Sequence, residues 1–389
     1  MVLDVLAWLI LGFAGLRLGV ALVNYFSPLY LPPSCALERD LSPPRASSPS
    51  DLGMVFSAKD QPLLSVLIPA RDEEDNLPGL LDALLQQTYT HFELIVYDDH
   101  SGDATPHILE DFSRKAGRVK WLQGGDLPDG WTGKNHACHR LAEQARGEVL
   151  LFLDADVSVS PDLLEKAVAW FTQKKLSLLS IFPHQIMHAR GEWLTVPLMN
   201  WILLSLLPMI LVRLSRRPSF AAANGQFMMF DAAVYRENQW HEQVHDNLVE
   251  DIEINRLMKH KGYRTATLLG NHDIMCRMYS SFQEGVHGFA KNVTEFFGGS
   301  ITMSIIFTLL VITGVLIIPL GHGWPGLMAY VLMVIFLRGL ISRKSRQPVQ
   351  KNFIYHIPQM VAFILIVYKG IKVRRKGNYS WKGRTTGGS

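Results

Sequence analysis

The feature that most constrains the fold of this chain is the apolar run VLLFL at residues 149–153, which is followed by Asp154 and Asp156. An unbroken apolar run with β-branched and aromatic members predicts a strand that is buried on both faces. Carboxylates spaced i, i+2 on an extended chain share one face, and open α/β sheets bind ligands at the carboxyl ends of their strands. We therefore expect these two carboxylates to hold a divalent cation together with a diphosphate, the alternative being a solvated turn.

Two earlier segments repeat this pattern of a buried strand that ends in charged residues. The run LSVLIP at residues 64–69 precedes a cluster of carboxylates, and FELIVY at residues 92–97 precedes Asp98 and Asp99. A helix is predicted after each, and alternating strands and helices imply a parallel sheet with right-handed crossovers. The sequence therefore predicts an α/β domain at residues 63–295, with three acidic clusters at one edge of its sheet.

Two predicted helix starts add charged groups to this set. Gly133 and Lys134 precede a helix, where free N–H groups and a lysine suit an anionic ligand; the alternative is an ordinary surface lysine. Glu250 and Asp251 open another helix, where carboxylates are usual as caps and as partners of the helix dipole. Spacing alone leaves the role of this second pair open.

Apolar segments at both ends of the chain predict membrane helices. Residues 1–29 have the length of a transmembrane anchor, in which Arg17 is costly unless it pairs or reaches the interface. Residues 30–62 are rich in Pro, Ser and charge and predict a linker. Residues 296–371 predict a C-terminal bundle of transmembrane helices, and the basic residues of 372–389 predict a cytoplasmic tail.

The C-terminal bundle contains three apolar segments. Residues 301–320 and 325–341 are predicted to cross the membrane on either side of a short uncharged loop. The third segment, at residues 353–371, has basic residues on both flanks, and both flanks cannot be cytoplasmic if the segment spans. We therefore expect this third segment to be re-entrant.

The uncharged segment at residues 193–212 is also long enough to cross a bilayer. A crossing there would place Asp154 and Asp156 on the opposite side of the bilayer from Glu250 and Asp251, which is excluded if the two pairs serve one site. We therefore predict an interfacial or re-entrant helix over residues 193–213, followed by arginines at an anionic lipid surface; the alternative is a buried core helix. Such a segment suits a lipid ligand better than a sugar ligand.

Four segments in order resemble the motifs of family 2 glycosyltransferases. They are PARDEE at residues 69–74, DDHSGDAT at 98–105, DAD at 154–156 and Glu250-Asp251. The resemblance covers roughly residues 63–290. It implies a GT-A, Rossmann-like, mostly parallel sheet flanked by helices, a nucleotide-sugar donor and usually a divalent metal. The segments WTGKNHAC at 131–138, RMY at 277–279 and WKGR at 381–384 are similar to the membrane-bound bacterial branch that contains carotenoid glycosyltransferases.

The resemblance also implies which residues bind the donor and the metal. Asp99 would hydrogen-bond uracil, whereas Asp98 would support that loop or cap a helix. Asp156 would be the main ligand of Mg²⁺ or Mn²⁺, with Asp154 on the ribose and diphosphate side and as a second metal ligand. Arg277 would lie near the diphosphate, or else form a surface salt bridge. The donor-binding residues implied in this way are Pro69, Ala70, Arg71, Glu73, Asp98, Asp99, Lys134, Asp154 and Arg277.

The same resemblance makes Asp251 the general base of an inverting transfer, with Glu250 as the alternative. Asn224 and Gly225 would line the acceptor side, although a plain strand with a glycine kink fits them equally well. Processive members carry Gln-x-x-Arg-Trp after this region, and this chain has Gly288 and Phe289 where the arginine and tryptophan would stand. We therefore expect the addition of a single sugar.

The resulting expectation is an integral protein of the cell membrane with a cytoplasmic catalytic domain. It would transfer one hexose, glucose from UDP-glucose, to a hydroxyl or carboxyl group of a lipid such as a carotenoid. Polyprenyl-phosphate, hopanoid and ceramide-type acceptors are alternatives, and a non-catalytic nucleotide-sugar binding protein is the alternative from another class. The net charge of +3 is too small to indicate a nucleic-acid partner.

Overall fold

The computed structural model describes residues 1–33, 61–376, 380–381 and 384–385. The chain divides into two compact units, which we call the helical unit and the sheet unit. The helical unit contains residues 1–28, 185–211 and those described from 277 to 376, and the sheet unit contains the remainder. Most of the predicted linker at residues 30–62 and most of the predicted basic tail lie outside the described residues, as does part of the WKGR segment.

The sheet unit is built on a seven-stranded sheet whose strand order is β3-β2-β1-β4-β8-β6-β9. The first four strands in this order run parallel, with Val66 opposite both Leu94 and Leu151. The strands are β1 (Leu64–Ala70), β2 (Phe92–Asp98), β3 (Val119–Gln123), β4 (Val149–Leu153), β5 (Val157–Val159), β6 (Leu178–Phe182), β7 (His184–Gln185), β8 (Phe227–Asp231), β9 (Thr265–Leu269), β10 (Ile274–Cys276), β11 (Ser380–Trp381) and β12 (Arg384–Thr385).

Strand β8 makes the sheet mixed, because it runs antiparallel to both β4 and β6. Its first residue, Phe227, lies opposite Leu153, the last residue of β4. The residues just before β8 therefore lie at the same edge as those just after β4. In the same way, the antiparallel pairing of β10 with β5 places Cys276 opposite Val157, next to Asp156. Two segments distant in sequence thus join the edge that carries the predicted metal site.

Helices cover this sheet, and an aromatic cluster fills the space under them. Phe152 of β4 packs against Phe230 of β8 and against Tyr235, with ring centroids 5.7 and 5.4 Å apart. The helices of the sheet unit are α2 (Leu77–Leu85), α3 (Thr105–Lys115), α4 (Gly133–Gln144), α5 (Leu163–Gln173), α8 (Ile210–Leu214), α9 (Ala232–Asn238), α10 (Trp240–Gln243) and α11 (Glu250–His260). Helix α8 begins at the boundary between the units. The expectation of a GT-A-like sheet flanked by helices is confirmed.

The helical unit is formed from three separate parts of the chain. Its long helices present many large apolar side chains on their outer faces, as helices in contact with lipid do. They are α1 (Val2–Phe26), α6 (Arg190–Thr195), α7 (Pro197–Leu206), α12 (Phe282–Asn292), α13 (Ile301–Ile312), α14 (Gly314–Lys344), α15 (Val349–Ile354) and α16 (His356–Lys376). By length and composition, helices at Val2–Phe26, Gly314–Lys344 and His356–Arg375 could each cross a membrane.

The uncharged segment at residues 193–212 is not one long helix. It is broken into α6, α7 and α8, with breaks at Val196 and before Ile210. Asn24 of α1 satisfies the backbone at the second break, because its Nδ2 donates to Leu204 O and Leu207 O and its Oδ1 accepts from Met209 N. None of these pieces has by itself the length of a span, and the interfacial or re-entrant helix over residues 193–213 stays a prediction.

The C-terminal segments differ from the sequence prediction in two respects. The helix expected over residues 301–320 is interrupted at Thr313. Helix α14 then continues to Lys344, with a non-helical residue at Gly323 (φ +60°), where the short loop was expected. The third segment was expected to be re-entrant, but α16 is one continuous helix from His356 to Lys376 without the internal turn that such a segment needs.

Candidate active site

Two loops at the carboxyl ends of β1 and β2 are joined by a ladder of hydrogen bonds. Gly102 N donates to Asp72 Oδ1 at 2.7 Å, and Glu73 N donates to Thr105 Oγ1 at 2.9 Å. Asp99 N donates to Ala70 O at 2.8 Å. The ladder joins two loops at this edge of the sheet. One carries the predicted base- and ribose-binding residues Pro69, Ala70, Arg71 and Glu73, and the other carries Asp98 and Asp99.

Asp98 and Asp99, at the end of β2, have different surroundings. The buried Asp98 accepts hydrogen bonds from the backbone and hydroxyl of Ser101, so it closes the loop after β2. Asp99 is fully buried, and the Arg71 guanidinium donates to its carbonyl and lies 3.7 Å from its Oδ2. Arg71 therefore keeps a positive charge against Asp99 at the strand edge.

Lys134 links the residue after β4 to the start of α11. Its Nζ lies 3.0 Å from both carboxylate oxygens of Asp154 and 3.1 Å from Glu250 Oε1. Burial opposes the charge of Lys134, but the two carboxylates outweigh it and raise the pKa of this lysine well above its usual value. Lys134 is therefore a permanently charged group between two acidic residues.

The start of α4, which carries Lys134, is held in place by two polar contacts. Thr132 caps the helix by accepting from Asn135 N at 3.2 Å. The buried Asn135 Nδ2 donates to Val244 O and Asn247 O at 2.7 and 2.8 Å. Asn135 thus ties the lysine loop to the loop that leads into Glu250 and Asp251. Asn135 was not predicted as a site residue, since nothing in its spacing indicated this long-range contact.

Asp251 is oriented by two backbone donors. Its Oδ2 accepts from Gly225 N at 2.9 Å and its Oδ1 from Ile252 N at 2.7 Å. Burial, followed by repulsion from Glu250, raises the pKa of Asp251 to about 7, although Lys134 acts in the opposite direction. A carboxylate with such a pKa can accept a proton near neutral pH.

Gly225 lies against this group of charges. A Cβ at this position would lie 2.9 Å from both Glu250 Oε1 and Lys134 Nζ. Asn224 stabilises the same turn, since its Oδ1 accepts from Gln226 N. The structure therefore brings Asn224 and Gly225 to the edge occupied by Asp154, Glu250 and Asp251.

Asp156 is held by two residues that the sequence analysis did not single out. Gln226 Nε2 lies 3.1 and 3.2 Å from the two oxygens of Asp156, and Cys276 Sγ lies 3.5 Å from Oδ2. Gln226 follows the Asn224-Gly225 pair, which was a usable signal. No sequence signal pointed to Cys276, because the cysteines of the chain show no metal-ligand spacing. Both arrive through the antiparallel strands β8 and β10.

The acidic residues after β4 fit a divalent cation that also binds a diphosphate. Burial and then repulsion from Asp156 raise the pKa of Asp154 to about 7, with Lys134 opposing both, and a cation would relieve this repulsion. In the described part of the chain no group of three or more His, Cys, Asp or Glu could hold a metal ion. Mg²⁺ commonly takes one or two carboxylates and completes its shell with phosphate oxygens and water, so two protein ligands are sufficient.

Arg277 is the one predicted donor residue that lies in the helical unit. Its Nη2 lies 2.6 Å from Oε1 of the fully buried Glu192. This ion pair is the alternative that the sequence left open for Arg277, and its role toward a diphosphate stays a prediction.

Comparison with known proteins shows which proteins this chain is similar to. Residues 65–238 match the family model described as Glycosyl transferase family 2. The 4,4'-diaponeurosporenoate glycosyltransferase of Staphylococcus haemolyticus is 27% identical over 256 residues, which cover 64% of this chain and 65% of that protein. The beta-monoglucosyldiacylglycerol synthase of Trichormus variabilis is 30% identical over 122 residues, 31% of this chain and 26% of that protein. The chain thus spans less than two thirds of the length of these relatives.

A solved structure covers nearly the whole chain. The mannosyltransferase PcManGT from Pyrobaculum calidifontis, in complex with GDP-Man and Mn²⁺, superposes with a TM-score of 0.52. It covers 95% of this chain and 99% of its own, at 16% sequence identity. The likeness shows a shared fold.

Proposed function

We propose that this chain, whose residues 65–238 match the model of family 2 glycosyltransferases, transfers one hexose, glucose from UDP-glucose, to a lipid with inversion at the sugar. The observation that carries the proposal is the position of Asp251. Two backbone N–H groups orient its carboxylate beside the Lys134, Asp154 and Glu250 network. One edge of the sheet thus combines a candidate base with the candidate donor residues.

Each group has a role in this proposal. Arg71 and Asp99 frame the uracil and ribose, and Lys134 offsets Asp154 and Glu250, which would otherwise repel a diphosphate. Asp251 removes the proton from the acceptor hydroxyl as the new glycosidic bond forms, and Glu250 is the alternative base. For a carboxyl acceptor, which is already ionised at neutral pH, Asp251 positions the acceptor instead.

Asp156, with Asp154, would hold the divalent cation, Mg²⁺ or Mn²⁺. The cation supplies Lewis-acid stabilisation of the charge on the departing diphosphate. Gln226 and Cys276 keep the Asp156 carboxylate in place through the contacts described above. Support for a bound cation comes from the raised pKa of Asp154 and from the Mn²⁺ in the structure of PcManGT.

A lipid acceptor is supported by the relatives and by the helices. The names of the two relatives refer to diaponeurosporenoate and to a diacylglycerol, both of which are lipids. In the described part of the chain, three helices are long and apolar enough to cross a membrane. We place the chain in the cell membrane with its catalytic residues facing the cytoplasm, where nucleotide sugars are made. Carotenoid, polyprenyl-phosphate, hopanoid and ceramide-type lipids remain the acceptors to be compared.

The test is hexose transfer in membranes that contain the full-length protein. Labelled UDP-glucose is supplied with Mg²⁺ or Mn²⁺, and the lipid extract is analysed by mass spectrometry. We expect a lipid that gains one hexose, and we expect the product to disappear with EDTA, with Asp156→Ala and with Asp251→Asn. Asp246→Asn, an exposed aspartate in the loop before α11, is the matched control and keeps full activity.

Two other outcomes have definite meanings. Binding of UDP without turnover of any supplied nucleotide sugar would favour the non-catalytic binding protein. Full metal-dependent activity of Asp156→Ala would show that Asp156 is not the main metal ligand. It would not contradict the proposed glycosyltransferase activity.

A further inference from the structure

Two arginines in the interior of the helical unit lack a counter-ion. Arg17 of α1 and Arg338 of α14 are 4% and 2% exposed. Among the residues that the structure describes, neither has an acidic side chain within ion-pair distance. A buried cation without a partner is costly in a protein interior and more so in a membrane, where such residues usually mark a functional site.

The contacts of these two arginines compensate only partly for the burial of their charges. Both guanidinium groups lie over the ring of Trp201, at 4.4 Å for Arg17 and 5.0 Å for Arg338. Arg17 donates twice to Ser205 Oγ, and Arg338 Nε bonds to His356 Nδ1 at 2.9 Å. Arg17 also lies over the rings of Phe13 and Phe307. These partners are neutral, so two positive charges remain near one indole.

One donor of this pair has no partner. The Nη2 of Arg338 is completely buried and makes no hydrogen bond to any described residue. An unsatisfied buried donor on a charged group costs more than on a neutral one, because burial removes its water without replacement. The arrangement therefore leaves two positive charges that the described residues do not neutralise.

A cavity beside Arg17 indicates the size of a group that could offset these charges. It has a volume of about 30 Å³, and Arg17, Trp201, Tyr330 and His356 form its polar wall. Arg338 does not line the cavity, but it contacts Trp201 and His356, which do. The rest of the wall is apolar, and is made by Ile10, Phe13, Ala14, Leu310, Val311, Met333, Val334 and Leu337. The volume suits one small anionic group and excludes a sugar, so only the first carbons of an attached aliphatic chain would meet the apolar wall.

We propose that Arg17, with Arg338 beside the same indole of Trp201, forms a binding site for the acidic end of a lipid, a carboxylate or a phosphate. The acidic end lies in the cavity, accepts from Arg17 and offsets the nearby charge of Arg338, and the first carbons of the lipid chain meet the apolar wall. This inference does not depend on the proposed sugar transfer, because it concerns the helical unit alone.

The test uses purified full-length protein that has been stripped of lipid in detergent. Oleate, dioleoyl phosphatidic acid and dioleoyl phosphatidylcholine are added in turn, and the melting temperature and the lipid retained in native mass spectrometry are measured. We expect oleate or phosphatidic acid to raise the melting temperature and to be retained as one molecule, while phosphatidylcholine is not. Equal effects of the acidic and zwitterionic lipids on the wild-type protein would overturn the proposal.

Variants separate a lipid site from a structural role. Arg17→Met should weaken retention of the acidic lipid about tenfold or more, the effect of losing one charged hydrogen bond, and Arg338→Met should weaken it less, because Arg338 does not line the cavity. The exposed Arg217 gives the matched control, and Arg217→Met should leave retention unchanged. A purely structural role predicts the opposite pattern, in which the lipid-free melting temperature falls and the increment on adding lipid is preserved.

Inorganic phosphate distinguishes a lipid site from a site for a soluble anion. We expect phosphate at millimolar concentration to leave the melting temperature unchanged, because only a lipid gains the apolar wall. Stabilisation by phosphate equal to that by phosphatidic acid would overturn the assignment of a lipid. Oleate and phosphatidic acid, compared with each other, show whether a carboxylate or a phosphate fits the cavity better.

Discussion

The Asp251 carboxylate predicts how activity depends on pH. Burial and Glu250 raise its pKa to about 7, and a general base works only when deprotonated. We therefore expect kcat/KM for a hydroxyl acceptor to fall about tenfold per pH unit below pH 7 and to level off above it. Asp251→Asn should lower kcat by a factor of roughly 100 or more and remove this dependence. A profile that stays flat from pH 5 to 8 would exclude Asp251 as the base.

Gly225 allows a second test at the same edge. Gly225→Ala keeps the N–H that bonds to Asp251 but places a Cβ 2.9 Å from Lys134 Nζ and Glu250 Oε1. Both atoms are the ends of flexible side chains, so the fold should persist while the charge network shifts. We expect kcat/KM to fall about tenfold, about 1.4 kcal/mol in transition-state stabilisation, with little change in melting temperature.

The matched control for this substitution is Gly117→Ala. No heavy atom lies within 4 Å of a Cβ at Gly117, so this alanine should change neither activity nor stability. If Gly225→Ala were as active as the wild type, the precise position of Lys134 and Glu250 would be irrelevant to turnover.

At the scale of elements, the sequence predicted the parallel strands well and the antiparallel ones poorly. The runs at β1, β2 and β4 are short and apolar and end in acidic residues, so both their existence and their common edge follow from pattern. The direction of β8 does not follow from its own residues, since it is fixed by pairing with β4 and β6. Gln226 and Cys276 were missed for this reason, because their approach to Asp156 depends on strand direction.

The break in the segment at residues 193–212 depends on α1. Asn24 is buried and satisfies three backbone groups, the carbonyls of Leu204 and Leu207 and the N–H of Met209. Asn24→Ala would leave these groups without a partner, at a cost of about 1–3 kcal/mol for each group that water cannot reach. We expect a lower melting temperature in detergent, measured by tryptophan fluorescence.

The exposed Leu22 of the same helix supplies the comparison for Asn24. Leu22→Ala removes a side chain that is 40% exposed and makes no polar contact, so its effect should be much smaller. Equal effects of the two alanines would mean that helix packing, and not the polar contacts, stabilises this break.

At the scale of the whole molecule, the sequence indicated an anchor, a catalytic domain and a C-terminal bundle in that order. The structure regroups them, because residues 185–211 belong with the terminal helices and not with the sheet. Hydropathy shows that such a segment is apolar but not which unit buries it, since a core helix and an interfacial helix have similar composition. The ion pair of Arg277 with Glu192 is a consequence of this regrouping, because both residues lie in the helical unit.

The arrangement of the chain across the membrane is the last property that can be tested. The last turn of α14 and the residues after it are rich in basic side chains, which predicts that this end of the helix faces the cytoplasm. These basic residues are Arg343, Lys344, Arg346 and Lys351. Gly323 interrupts α14, and Tyr330 Oη donates to Val311 O at 2.9 Å, so the chain turns back near Gly323. The turn should then face the opposite side of the membrane.

Single cysteines report this arrangement in intact cells. Trp324 is 75% exposed beside the turn, and Gln350 is exposed beyond the basic residues. In a Cys35→Ser background, where Cys138 and Cys276 are buried, we expect an impermeant maleimide to label Trp324→Cys from outside. Gln350→Cys should be labelled only after permeabilisation. External labelling of Gln350→Cys would contradict this orientation. It would mean that the basic end of α14 faces away from the cytoplasm, where nucleotide sugars are made.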